Sequence, residues 1–256
     1  MKLRTLAPLQ PPPPISGALR SWEHSAPPPA LLSWVEGPGA EGIATPWRLG
    51  GLCILPPSTL LGLRGFEDAY EDHFTGAAPD GRDVMRVIFD LEKVLRMALY
   101  QSVLALELLA TSAPLHLEAP LTRPSLLALA EGAITTGVLQ VYRGVLPATL
   151  DAITAGDRLP ALAGLRRLYT ASLLHTDAVM STRLPDLLNH CASTSITPIV
   201  EQAADAPLTD AERHALRDEL QRLIHTLDTT PSALPERPQN YEFLHHTLVS
   251  WRLSLL

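Results

Sequence analysis

The chain has 256 residues, of which 46% are apolar and only 18% charged, with a formal net charge of −7. That length can bury a sizeable core, as one large domain or two small ones. The composition excludes a disordered chain, and the acidic balance excludes a nucleic-acid footprint over the whole surface.

Leu and Ala dominate and aromatics are scarce, which favours helices over a β-sandwich. Residues 1–30 are rich in proline, as in "QPPPPIS" and "HSAPPPA". Such runs prefer polyproline II and cannot join a sheet, so this segment is expected to be an extended arm. Its start carries two positive charges without a sustained apolar core, so no signal peptide is expected.

"ALLSWV" (Ala30 to Val35) and "GLCIL" (Gly51 to Leu55) are apolar runs too short for a helix and closed by Gly or Pro. Both are expected to be buried strands. "FEDAYEDHF" (Phe66 to Phe74) is expected to be a solvated acidic loop or helical turn, in preference to a displaced metal cluster. "MRVIF" (Met85 to Phe89) is expected to be a third strand that runs into a helix; Val84, Val87, Ile88, Leu91, Val94, Leu95, Ala98 and Leu99 lie on one helical face, and the pattern does not fix where strand gives way to helix. Glu92 and Arg96, four apart, support its outer face.

From there the pattern is helical. Pro124 and Pro160 suit first turns. Thr209 and Glu212 have capping-box spacing, ahead of a stripe of Leu216, Leu220, Leu223, Ile224 and Leu227. A last helix follows at "NYEFLHHTLVSWRLSLL".

Cys53 and Cys191 are expected to be buried, reduced thiols, which suits a cytoplasmic protein; a disulfide stays open. No apolar run reaches the roughly 18 residues of a transmembrane helix, so no membrane contact is expected. Arg166–Arg167, Arg82, Arg86 and Arg96 are the only candidates for a local RNA patch, and a solvated helix face is the preferred reading of each. His245–His246 is expected to be one packed and one exposed histidine, and His175–Asp177 a surface pair.

The segments "SWVEGPGAEGIATPWRLGGLCILPP" (Ser33 to Pro57), "LLGL" (Leu60 to Leu63), "FDLEKVLRMALYQSVLALELL" (Phe89 to Leu109), "VYRG" (Val141 to Gly144) and "LRRLYTASLL" (Leu165 to Leu174) resemble the bacterial and phage predicted nucleotidyltransferases often associated with RNA ligases. Those proteins have a DNA polymerase β-like fold. The resemblance spans nearly all of the chain after residue 30. It implies an α+β fold: a small mixed β-sheet nucleotidyltransferase-like unit over 31–120, followed by a helical C-terminal half over 121–256.

In the family, a Gly-Ser turn holds a triphosphate. A D-x-D pair on the next strand, with a third carboxylate, holds two metal ions that clamp the attacking and leaving oxygens. Here Pro38 stands at the turn serine, and Trp47-Arg48-Leu49-Gly50 replaces S-D-x-D. The family's Gly-Asn-Pro-Asn has become Gln101-Ser102-Val103-Leu104. Loss of both main metal ligands implies a catalytically dead member, since phosphoryl-type transfer depends on positioning and metal charge.

Gly37, Gly39, Gly42 and Arg48 are what remains of a nucleotide site, and no cofactor is expected. The expected role is non-catalytic partnership, with an active paralogue or as a complex subunit, and RNA contact is left to a local patch. The alternative is an active enzyme that binds Mg²⁺ and a nucleoside triphosphate (NTP) through relocated carboxylates: Asp83 with Glu67 or Asp68.

Overall fold

The computed structural model describes residues 1–11, 13–14, 29–37, 41–43, 46–60, 68–202 and 206–255. Five strands form one mixed sheet: β2 (Leu31–Glu36), β3 (Trp47–Cys53), β4 (Ala69–Phe74), β5 (Val84–Asp90) and β6 (His116–Leu117), in the order β4-β5-β3-β2-β6. Only β3 and β5 run parallel, with Leu49 beside Arg86 and Leu52 beside Phe89. The other pairs are antiparallel. A short α1 (Pro57–Leu60) follows β3.

Both faces of the sheet are apolar and covered. Leu31, Val35 and Leu52 face helices α2 (Leu91–Leu99) and α3 (Val103–Leu109). Leu32, Trp34, Trp47, Leu49, Val84 and Ile88 fill the opposite face. The strands expected at Ala30–Val35, Gly51–Leu55 and Met85–Phe89 are therefore present, and β3 begins earlier, at Trp47.

The acidic stretch is neither loop nor helical turn over its described part. It is the edge strand β4, antiparallel to β5. Tyr70 and Phe74 pack inward, and Asp72, on the same side of the strand but itself exposed, neutralises buried Arg86 (Nε to Oδ2 3.0 Å). Its outward Glu71 and His73 are exposed, which keeps the edge soluble.

The family-like segment Phe89–Leu109 holds two helices, broken at Gln101, whose φ is +60°. That left-handed value favours glycine, and it is where the family pattern carries glycine. Gln101 is held there by its own amide. Its Nε2 donates to the carbonyls of Ala98, Leu99 and Ala133, and its Oε1 accepts from Thr135 N–H at 2.8 Å.

The helical half comprises α4 (Arg123–Ala133), α5 (Gly137–Arg143), α6 (Leu146–Ala155), α7 (Arg158–Asp177), α8 (Leu184–His190), α9 (Thr197–Val200), α10 (Asp210–Thr229) and α11 (Tyr241–Leu253). The capping box at Thr209 and Glu212 forms, and Glu212 also meets buried Arg158 at 3.0 Å. Leu216, Leu220, Leu223 and Leu227 are buried and pack the stripe of α10 inward; Ile224 is partly covered.

The start of the proline-rich arm is seated on this half. Strand β1 (Arg4–Thr5) pairs parallel with β7 (Val179–Met180). Leu3 N–H donates to Glu131, Leu9 N–H to Asp186, and the Pro13 carbonyl accepts from the Trp34 indole.

Candidate functional site

The glycine turn between β2 and β3 sits at the joint between sheet and helical half. Gly37 (φ +97°) and Gly42 (φ +74°) are both left-handed. A Cβ on Gly42 would lie 2.3 Å from Pro185 Cδ, at the start of α8, so the chain passes Pro185 with only hydrogen to spare. A Cβ on Gly37 would lie 3.1 Å from the Trp47 ring. Pro38 and Gly39 lie outside the described residues.

Between the two glycines, Glu41 is buried and its Oε1 lies 3.1 Å from Arg166 Nη2 on α7. Arg166, 2% exposed, also donates from Nη1 to Glu107 Oε1 on α3 at 2.7 Å, and Tyr142 OH on α5 donates to the same oxygen at 2.8 Å. Three segments that carry the family resemblance, Phe89–Leu109, Val141–Gly144 and Leu165–Leu174, thus each supply one member of one buried cluster.

Burial opposes the charge on Arg166, but Glu107 and Glu41 outweigh it and hold the guanidinium's pKa above its usual value. Burial first, and then the Glu107 carboxylate, raise the Tyr142 phenol well above its normal value, so it stays a neutral donor. Arg166 is therefore no solvated helix face and no RNA patch, and buried Arg86 is neither. Arg82 and Arg96 are exposed but paired with Asp80 and Glu92.

On the opposite sheet face Trp47 and Leu49, two of the four residues that stand at S-D-x-D in the resemblance, point inward as apolar side chains. Trp47 meets Trp34 edge-on at 4.8 Å between ring centroids, and its indole donates to Asp80 at 2.8 Å. Leu49 is fully buried, and its neighbour across the parallel pair is Arg86, which also lies 4.9 Å from the Phe74 ring centroid. An indole, an isobutyl group and a guanidinium do not fit a divalent ion, which takes oxygen ligands.

Arg48 points to the other face, 3.4 Å from Glu36. Asp83 lies in the β4–β5 hairpin, where it accepts from Gly76 N–H at 2.9 Å and stands 3.6 Å from His73. Asp68 pairs with Lys93 at 2.7 Å. Glu67 lies outside the described residues. Among the described residues, no three acids, histidines or cysteines converge as a metal cluster.

Both His245 and His246 are exposed, because α11 buries only Leu244. His175 is buried and meets the Thr230 carbonyl at 2.6 Å, rather than forming a surface pair with Asp177.

Beneath the Glu41–Arg166–Glu107 cluster lies a cavity of about 320 Å³, lined by β2, α3, α5 and α7. Sequence reasoning missed this whole assembly. Two signals pointed to it. Glu107 is the one charge in the apolar run "VLALELL". In "LRRLY", the two adjacent arginines interrupt an apolar helical run on both sides.

No protein-family model matches the chain, and no curated protein does. Among solved structures, a nucleotidyltransferase-like protein from Exiguobacterium sibiricum is similar over 82% of this chain and 74% of its own, at 12% identity and a TM-score of 0.31. That likeness is too distant to carry residue roles across.

Proposed function

We propose that the chain is a degenerate nucleotidyltransferase-like protein that no longer transfers nucleotides and works as a non-catalytic protein partner, of an active nucleotidyltransferase or an RNA-processing assembly. The observation that carries the reading is the packed face of the sheet. Over Trp47-Arg48-Leu49-Gly50, where the family resemblance implies S-D-x-D, no acid stands: Arg48 pairs with Glu36, Gly50 packs against Val35 with no room for a side chain, and Trp47 and Leu49 are buried in an apolar cluster beside Arg86. Each tenfold in rate corresponds to about 1.4 kcal/mol, so removing the charge that organises an in-line displacement costs several powers of ten.

The rival reading, with Asp83 as a relocated metal ligand, gains no support from Asp83's place in the hairpin. The surface favours protein contact. Tyr100 is 86% exposed, Tyr241 of α11 is exposed and lines the same groove, and Val249 and Leu253 of α11 are exposed as well. Tyrosine at an exposed patch supplies large amphipathic contact area, which interfaces enrich.

The test is calorimetric titration of ATP, GTP, CTP and UTP with Mg²⁺ or Mn²⁺, followed by transfer from α-labelled triphosphates to RNA and protein. The expected result is neither metal-dependent binding nor transfer. Transfer that Asp83→Asn abolishes would overturn the reading in favour of the active enzyme. For the partner role, co-expression with an active nucleotidyltransferase should give a complex that Tyr100→Ser with Tyr241→Ser weakens; a protein that stays monomeric beside every candidate refutes it.

A further inference from the structure

We infer that the cavity beside Arg167 is a binding site for a small aliphatic monocarboxylate. Arg167 follows Arg166 on α7 and lines the same cavity of about 320 Å³. Among the described arginines that are not exposed, it is the one with no hydrogen bond or ion pair. Its Nε is buried without an acceptor, and so is the Nε of Arg166. A buried Nε–H is costly to leave unpaired, because that donor loses water and gains nothing. A planar fork of this kind matches a carboxylate through two parallel N–H···O bonds.

The rest of the wall sets the class of ligand. Val103, Leu104, Val141 and Val145 give the cavity an apolar side. Its volume is at the lower end of the roughly 300–1,000 Å³ typical of ligand pockets, so the occupant is small. Both acids on the wall are engaged: Glu107 by Arg166 and Tyr142, and Glu36 by Arg48.

The buried trio of Glu41, Glu107 and Arg166 holds two carboxylates against one guanidinium, one negative charge in excess. Arg167 compensates that charge, so a single carboxylate is tolerated and a triphosphate is repelled. The site lies on the helix side of the sheet and stands whether or not the chain transfers nucleotides.

The experiment is calorimetry on the full chain with acetate, butyrate, isovalerate and hexanoate at matched ionic strength, with inorganic phosphate and ATP as further probes. Affinity should tighten about fourfold per methylene until the cavity is full, and the carboxylates should bind more tightly than phosphate or ATP. Arg167→Gln should weaken binding at least about tenfold, as loss of a charge-assisted pair does. Arg167→Lys should fall between, having the charge without the fork.

Arg167 makes no hydrogen bond or ion pair in the fold and acts on the buried trio only through its charge, so Arg167→Gln should lower the urea midpoint far less than Arg166→Met does. Val141→Phe gives a second handle: it leaves every charge in place, and from its half-exposed position it narrows the apolar side. It should weaken hexanoate more than acetate. No binding by any carboxylate at millimolar concentration, equal binding by Arg167→Gln, or tighter binding of phosphate or ATP would each overturn the inference.

Discussion

Replacing Arg166 with Met should be among the most damaging single changes in this chain, and its cost should depend on pH. Arg166 is 2% exposed and neutralises Glu41 at 3.1 Å and Glu107 at 2.7 Å, both buried. Methionine has similar length and fills the volume, so the cost is electrostatic. Breaking a buried pair from one side costs about 3–5 kcal/mol, because the other charge is left without its partner. Here two carboxylates are left. Against a total stability of about 5–15 kcal/mol, that is a large share.

Glu107→Gln is the informative contrast. It leaves Arg166 paired with Glu41 as a neutral couple, and should cost only the weakened hydrogen bonds, about 1–3 kcal/mol. In Arg166→Met the stranded carboxylates are desolvated, so their pKa in the fold rises above the unfolded value near 4.3. Between those two values the folded variant binds more protons than the unfolded chain. Its stability is therefore greatest at low pH and is lost as pH rises.

Urea unfolding of wild type and both variants at pH 5 and pH 8 reads all three statements. The deficit of Arg166→Met should be larger than that of Glu107→Gln and should shrink on going from pH 8 to pH 5. A deficit near or below about 1 kcal/mol, as for an exposed pair, or one that is the same at both pH values, would refute the buried cluster.

Gly42→Ala should lower Tm, since a left-handed alanine costs about 1–2 kcal/mol and its Cβ would overlap the Pro185 ring. Pro185→Ala in the same chain should recover part of the loss; additive losses would place the turn elsewhere. The hydrogen bond from Arg252, which also pairs with Asp90, holds the Glu92 carboxyl below the usual glutamate value near 4.3 despite partial burial. Its stabilisation is therefore present above that pH and fades as pH falls through the lowered value. Arg252→Met should flatten this acid limb in a melting series from pH 6 to pH 3, and an unchanged limb would count against the contact.

Much of the sheet was legible because its strands are short apolar runs closed by Gly or Pro. β4 was not, because Asp72 stands among its inward positions as the partner of Arg86 and hides the two-residue alternation between Tyr70 and Phe74. The helix break at Gln101 was hidden for a related reason. A single sequence shows a good helix former there, and only the fold shows that four side-chain hydrogen bonds hold it in a glycine conformation. Periodicity reports which face a residue takes. It does not report a polar residue whose place on the inner face depends on one distant partner.

The glycine turn shows the same limit at the site itself. By its spacing, Gly37 to Gly42 suits a phosphate-holding loop, and the acids of such a site are missing only from Gly42 onward. The one acid inside the turn, Glu41, faces inward to Arg166, and Gly42 is small because Pro185 lies against it. Both features dock the sheet onto the helical half. A turn of this spacing can thus need its glycines for the close approach that holds two halves together, with no phosphate involved. In this chain a buried ion pair and a proline ring occupy that approach, and the sequence alone gave no distance by which to tell them from a ligand.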